Sequence, residues 1–112
     1  MSGLQRFTEA QKKDFDTALS EIRSGHKRSH WMWYIFPQIH GLGFSSTSAY
    51  YAIQSMAEAK DFLNDPYLGA NLRAISEALL KLDTDDPYQV FGSPDHLKLL
   101  SCICLLYTSD AA

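Results

Sequence analysis

The sequence predicts a mainly α-helical protein, a single compact, irregular array of about six helices, several of them short. Three observations lead there. Apolar side chains recur at three- and four-residue spacing over long stretches. Cap-forming residues and cap-then-proline pairs precede those stretches. No alternating segment of useful length argues for a sheet. With 112 residues, 46% of them apolar, the chain has room for one domain and enough apolar surface for its core.

The first helix is expected over residues 9–24. Thr8 and Gln11 form a capping box, Phe15, Ala18, Leu19 and Ile22 keep helical spacing, and Gly25 can close the helix in the left-handed region. Ser29 reads as the cap of a short second helix through His30 to Phe36, which Pro37 ends. Gly41-Leu42-Gly43 reads as a loop. N-cap residues between Ser45 and Ser48 introduce a third helix near 47–54, in which Tyr50 and Tyr51 cannot share a face. Ser55 and Glu58 make a second capping box, opening a helix that ends near Asn64 and buries Ala59, Phe62 and Leu63. Asp65-Pro66 is an N-cap with proline at the first helical position. Leu68, Leu72, Ile75, Leu79 and Leu82 follow as the clearest amphipathic pattern in the chain. Gly69 within it costs about 1 kcal/mol relative to alanine and points to close helix packing. Asp86-Pro87 opens a short turn ending at Gly92, and Ser93-Pro94 opens a helix carrying Leu97 and Leu100 toward Ile103.

Lys plus Arg number 10 and Asp plus Glu 13, a formal net charge of −3. Only the run from Arg23 to His30 is locally basic, which is no footprint for nucleic acid. No apolar run reaches the ~18–20 residues of a membrane span, and Met1 to Ala10 lacks the apolar core of a signal peptide. The expectation is a cytoplasmic protein with no nucleic-acid or membrane partner. Cys102 and Cys104 alone make no disulfide scaffold. His26, His30, His40 and His96 fall into no metal-ligand spacing, so no metal is expected. No Walker A loop, GxGxxG turn, nucleophile elbow or CxxC pair is present, and no cofactor is assigned. Asp83, Asp85 and Asp86 lack the ligand spacing of a calcium loop and read as a solvated loop with a cap.

Chemistry concentrates in residues 27–38, which hold both tryptophans and two further aromatics. The structural reading of these rings is core, because aromatic side chains dominate small cores. The functional reading is a pocket that they wall, taking a small anionic or nucleotide-like ligand. Arg28 would clamp a phosphate or carboxylate through paired hydrogen bonds. Ser29 would present N–H groups at a helix N-terminus. His30 would be the catalytic acid or base, since free imidazole titrates near neutrality. Trp31 or Trp33 would stack on a planar group, and Gln38 and His40 would supply polar rim groups. Whether the domain is an enzyme stays open. The alternative is a protein-interaction module in which the same aromatic stripe is an exposed hot spot. A concave pocket with His30 inside favours the first reading, and a flat exposed ring patch the second.

Residues 104–112, from Cys104 to Ala112, resemble one reading frame of a transposase sequencing adapter. On that reading the native domain covers residues 1–103, the tail is not native, and the natural chain continues past Ile103. The rest of the chain resembles a known family. Arg6-Phe7, Ala18 to Arg23 and Gly25 carry the likeness first. It strengthens from Lys27 to Gln38 and at Gly41-Leu42-Gly43. It runs on through Tyr51-Ala52-Ile53, Ala57-Glu58-Ala59, Leu68-Gly69 and Phe91 to Asp95 with Leu97-Lys98-Leu99. These residues resemble the bacterial proteins catalogued as domain of unknown function 1810, the Rv1873-like group. Phe44 and Leu100 depart from the family pattern. The resemblance implies a largely helical single domain and no established reaction. Members are sometimes labelled calpastatin, but such an inhibitor is polar, disordered and repetitive, and this chain is aromatic-rich.

Overall fold

The computed structural model describes residues 3–41 and 45–111, with side chains to residue 106. Among the described residues seven helices follow in order: α1 (Gln5–Arg23), α2 (Met32–Ile35), α3 (Ser46–Tyr51), α4 (Met56–Asn64), α5 (Pro66–Leu80), α6 (Pro87–Phe91) and α7 (Asp95–Ala111). The mainly α reading holds. The Cα radius of gyration is 13.1 Å, close to the ~13 Å of one close-packed body of this length. No helix among the described residues is long and apolar enough to cross a membrane.

Helix α1 begins a turn earlier than expected. Leu4 is its N-cap, and Thr8 is not a cap: its hydroxyl donates to the Leu4 carbonyl from within the helix. The longer helix lets Leu4 and Phe7 enter the core, and that burial outweighs the capping box. Gln11, read as the partner in that box, is buried. Its Nε2 donates to the Tyr34 carbonyl at 2.7 Å and its Oε1 accepts from Asn71 at 2.9 Å, so it ties α1 to α2 and α5. At the other end Gly25, at φ +87°, does close the helix. The Gly25 N–H donates to Ile22 and the His26 N–H to Glu21, the paired bonds of a Schellman turn.

Four further caps fall where the sequence places them, whereas the last helix opens at Asp95 and not with Pro94 inside its first turn. Ser45 accepts from the Ser48 N–H, Ser55 from Glu58, Asp65 from Tyr67 and Leu68, and Asp86 from Tyr88. Helix α3 stops at Tyr51, short of residue 54, because Ile53 turns to the backbone beside α2. The Ile53 N–H donates to the Gln38 carbonyl and the Ile53 carbonyl accepts from the His40 N–H, forming an isolated parallel bridge. Tyr51 is half-buried and Tyr50 exposed, as two neighbours on one helix must be. A Cβ on Gly69 would lie 2.3 Å from the Leu63 carbonyl oxygen, so the close approach of α5 to the end of α4 requires glycine.

The core joins Phe7, Ile22, Trp31, Ile35, Ile53, Phe62, Leu68 and Ile75. Phe7 meets Phe62 edge-on at 5.1 Å, and Trp31, Phe36 and Phe91 form a second ring cluster. Helix α7 adds Leu99, Cys102 and Leu105. Leu97, Leu100 and Ile103 lie on its other side, exposed with Leu80 of α5. Leu42 and Gly43 of the expected loop, and Phe44 after it, lie outside the described residues.

Candidate functional site

The chain between α1 and α2 is organised by a carboxylate that the sequence analysis did not single out. Glu21 is buried near the end of α1. Its Oε1 accepts from the Arg28 N–H at 2.6 Å, the Ser29 N–H at 2.8 Å and Trp31 Nε1 at 3.0 Å, while its Oε2 accepts from Ser29 Oγ at 2.5 Å. Burial pushes the carboxyl pKa up. The bonds from the Ser29 hydroxyl, the Arg28 and Ser29 N–H groups and Trp31 outweigh it and hold the pKa at about 2. The N–H groups expected to receive a ligand anion therefore receive one from the chain itself. Nor is Ser29 a helix cap: α2 starts at Met32, with Trp31 as a cap that has no side-chain bond. The Ser29 hydroxyl is taken by Glu21, which gives it a charge-assisted partner instead.

Two further candidates lie inside the protein. Trp31 is buried against Phe36 and Phe91. Gln38 is buried, donating to the Phe36 carbonyl at 2.9 Å and to Lys98 of α7 at 2.7 Å, so it fastens α7 to the segment after α2. Arg28 has an exposed side chain that lines none of the hollows described below.

His30 and Trp33 do come together. They line a hollow of about 320 Å³ between the start of α2 and the first turns of α7, with Lys27, Thr47, Asp95 and Lys98. Asp95 bridges two ammonium groups: Lys27 Nζ lies 2.7 Å from Oδ2 and Lys98 Nζ 3.1 Å from Oδ1. Lys27 also donates to the Ser29 carbonyl at 2.6 Å and sits over the Trp31 ring at 5.0 Å. Lys98 sits over Trp33 at 4.3 Å, within cation–π range. Burial raises the Asp95 pKa, but its bonds to Lys27 and Lys98 outweigh that and lower it. Tyr34 turns its hydroxyl to Asp14, with the His30 carbonyl 3.1 Å away.

Trp33 is shared with a second hollow of about 250 Å³, where it meets His40, Ser48 and Gln54. Of the sequence candidates, His30 and Trp33 thus line one hollow, and Trp33 and His40 the other. The structure places Ser29 and Trp31 on Glu21 and Gln38 under α7. Reading the sequence missed Lys27, Asp95 and Lys98. The Asp95 to Lys98 spacing was a visible signal, because residues three apart meet on a helix, but nothing local ties it to Lys27. Among the described residues no three His, Cys, Asp or Glu side chains gather as a metal site needs.

The family model described as protein of unknown function (DUF1810) matches residues 1–112. The chain belongs to that family. Among solved structures, this DUF1810 chain is similar to the conserved hypothetical protein Rv1873 from Mycobacterium tuberculosis. The two are 37% identical with a TM-score of 0.93, over 98% of this chain and 79% of that one. No curated protein matches the DUF1810 chain significantly.

Proposed function

We propose that this DUF1810 domain binds a small anionic, nucleotide-like ligand in the hollow between α2 and α7. The observation that carries the reading is the meeting of two lysine ammonium groups and His30 at one ring-walled concavity, in a chain whose net charge is −3. Concave sites with a few converging polar groups are where small ligands bind. Lys27 and Lys98 take the anion-holding role first given to Arg28. Trp33 supplies the stacking face, and His30 stands where it can donate a hydrogen bond or exchange a proton with the ligand. The hot-spot alternative has less to rest on, since Trp31 and Tyr34 of its stripe are buried.

The test is a thermal-shift screen with nucleotides, sugar phosphates, ADP-ribose-like compounds and carboxylates. A ligand at ~100 times its Kd stabilises by about 2.7 kcal/mol, a rise on the order of 10 °C for a domain of this size. The rise should vanish in His30→Ala and Lys98→Ala and persist in Arg28→Ala. No rise with any anion, on a protein that melts cooperatively, overturns the reading.

A further inference from the structure

We propose that the Lys27–Asp95–Lys98 cluster is a receptor for a phosphate monoester, in preference to a carboxylate. This rests on the hollow being a ligand site, and it names the group the hollow takes. A lysine ammonium has three N–H donors. Among the described residues, Lys27 Nζ spends two, on the Ser29 carbonyl and on Asp95. Lys98 Nζ spends one, on Asp95. Three donors on two neighbouring cations remain for the hollow that both residues line. A phosphate monoester offers three terminal oxygens and a charge approaching −2. A carboxylate offers two oxygens and a charge of −1.

Asp95 is the positioning residue. Each of its oxygens holds one ammonium, which fixes the spacing of two cations that otherwise repel. Each cation also rests on an indole, Lys27 on Trp31 and Lys98 on Trp33. The Lys27 side chain is only 7% exposed, so its ammonium is held with little freedom before any ligand arrives, and preorganised donors favour binding. With Asp95 ionised, the three groups carry a net charge of +1. That leaves a dianion a stronger Coulombic gain than a monoanion. Thr47 and His30 on the same wall are further hydrogen-bonding groups within the hollow.

Phenyl phosphate, phenyl sulfate and phenylacetate serve as probes, because they carry one ring and differ in charge and oxygen count. Titrations on the full chain are followed by tryptophan fluorescence and by calorimetry. Phenyl phosphate is expected to bind at least about tenfold more tightly than phenylacetate, the worth of one charge-assisted hydrogen bond. Phenyl sulfate, with three oxygens and one charge, should fall between them. Lys98→Met should weaken phenyl phosphate by about tenfold or more, and Lys98→Arg should keep most of the binding. Circular dichroism shows whether each variant is folded. Equal affinity for phosphate and carboxylate refutes the phosphate assignment while leaving an anion site in place. No binding of any of the three refutes both this assignment and the proposed function.

Discussion

Glu21→Gln is the change that most directly tests how the α1–α2 connection is held. Glutamine keeps the size and one carbonyl oxygen but removes the charge, as protonation of the acid does. The carboxyl pKa falls from 4.5 to about 2 on folding. At about 1.4 kcal/mol per tenfold change, that preference for the charged form is worth about 3 kcal/mol. Because the folded pKa is depressed, this stability is present in full above pH 4.5 and is lost as pH falls toward 2. Urea unfolding should therefore place Glu21→Gln about 3 kcal/mol below the parent at neutral pH, a large part of the ~5–15 kcal/mol of a typical domain. The gap should close as the pH is lowered through the window from 4.5 to about 2, while the variant falls less steeply there, keeping only the acid loss of other carboxylates such as Asp95. A gap under ~0.5 kcal/mol at neutral pH, the size of an ordinary surface change, refutes the view that the Arg28 and Ser29 N–H groups are organised by an internal anion. So does a gap that pH leaves unchanged.

Three other outcomes follow from the structure. Gly69→Ala should lower stability although alanine is the better helix former: the new Cβ meets backbone at 2.3 Å, and overpacking of about 1–3 kcal/mol exceeds the gain of about 1 kcal/mol; an unchanged or raised Tm refutes the close approach. Burial and then the Asp14 carboxylate raise the Tyr34 pKa, so stability should fall as pH rises past the ~10 of a free phenol, with a shallower fall in Tyr34→Phe; identical alkaline unfolding curves contradict this. The adapter-like reading of residues 104–112 predicts that genomic DNA departs from this sequence just after the Ile103 codon. An intact frame through Ala112 overturns it.

Elements were legible wherever a cap and a helical period agreed locally. Ser55 and Asp65 each open the helix expected of them, and Asp86 caps a short helix where a turn was expected, because N-capping is decided within three residues of chain. Thr8 shows the limit. Its capping box is well formed as a pattern, yet Leu4 and Phe7 gain more from entering the core than the box supplies, and no local signal reports the size of that core. Helix α7 shows the same limit: Leu97, Leu100 and Ile103 share a face as well as Leu99, Cys102 and Leu105 do, and only the position of α4 and α6 decides which face is buried.

The site was half legible, for a related reason. Residues 28–31 carry the right donors for an anion, and an anion is there, but it is Glu21, supplied from within the chain eight residues before Ser29. The sequence did hold a clue in α1: Gln11 and Glu21 are polar yet lie along the stripe that buries Phe7, Ala18 and Ile22. A polar side chain on an apolar stripe must find partners or be destabilising, so each marks a place where the chain folds back on itself. Gln11 receives Asn71 and reaches Tyr34, and Glu21 gathers residues 28–31. Once those donors are satisfied internally, the polar groups left facing outward are the ones the motif did not advertise. Lys27 reaches Asp95 and its helix neighbour Lys98 from far along the sequence, and this convergence is created by packing α7 against α6 and the segment before α2. The rings of the 27–38 motif thus form a scaffold on which two cations rest, Lys27 on Trp31 and Lys98 on Trp33.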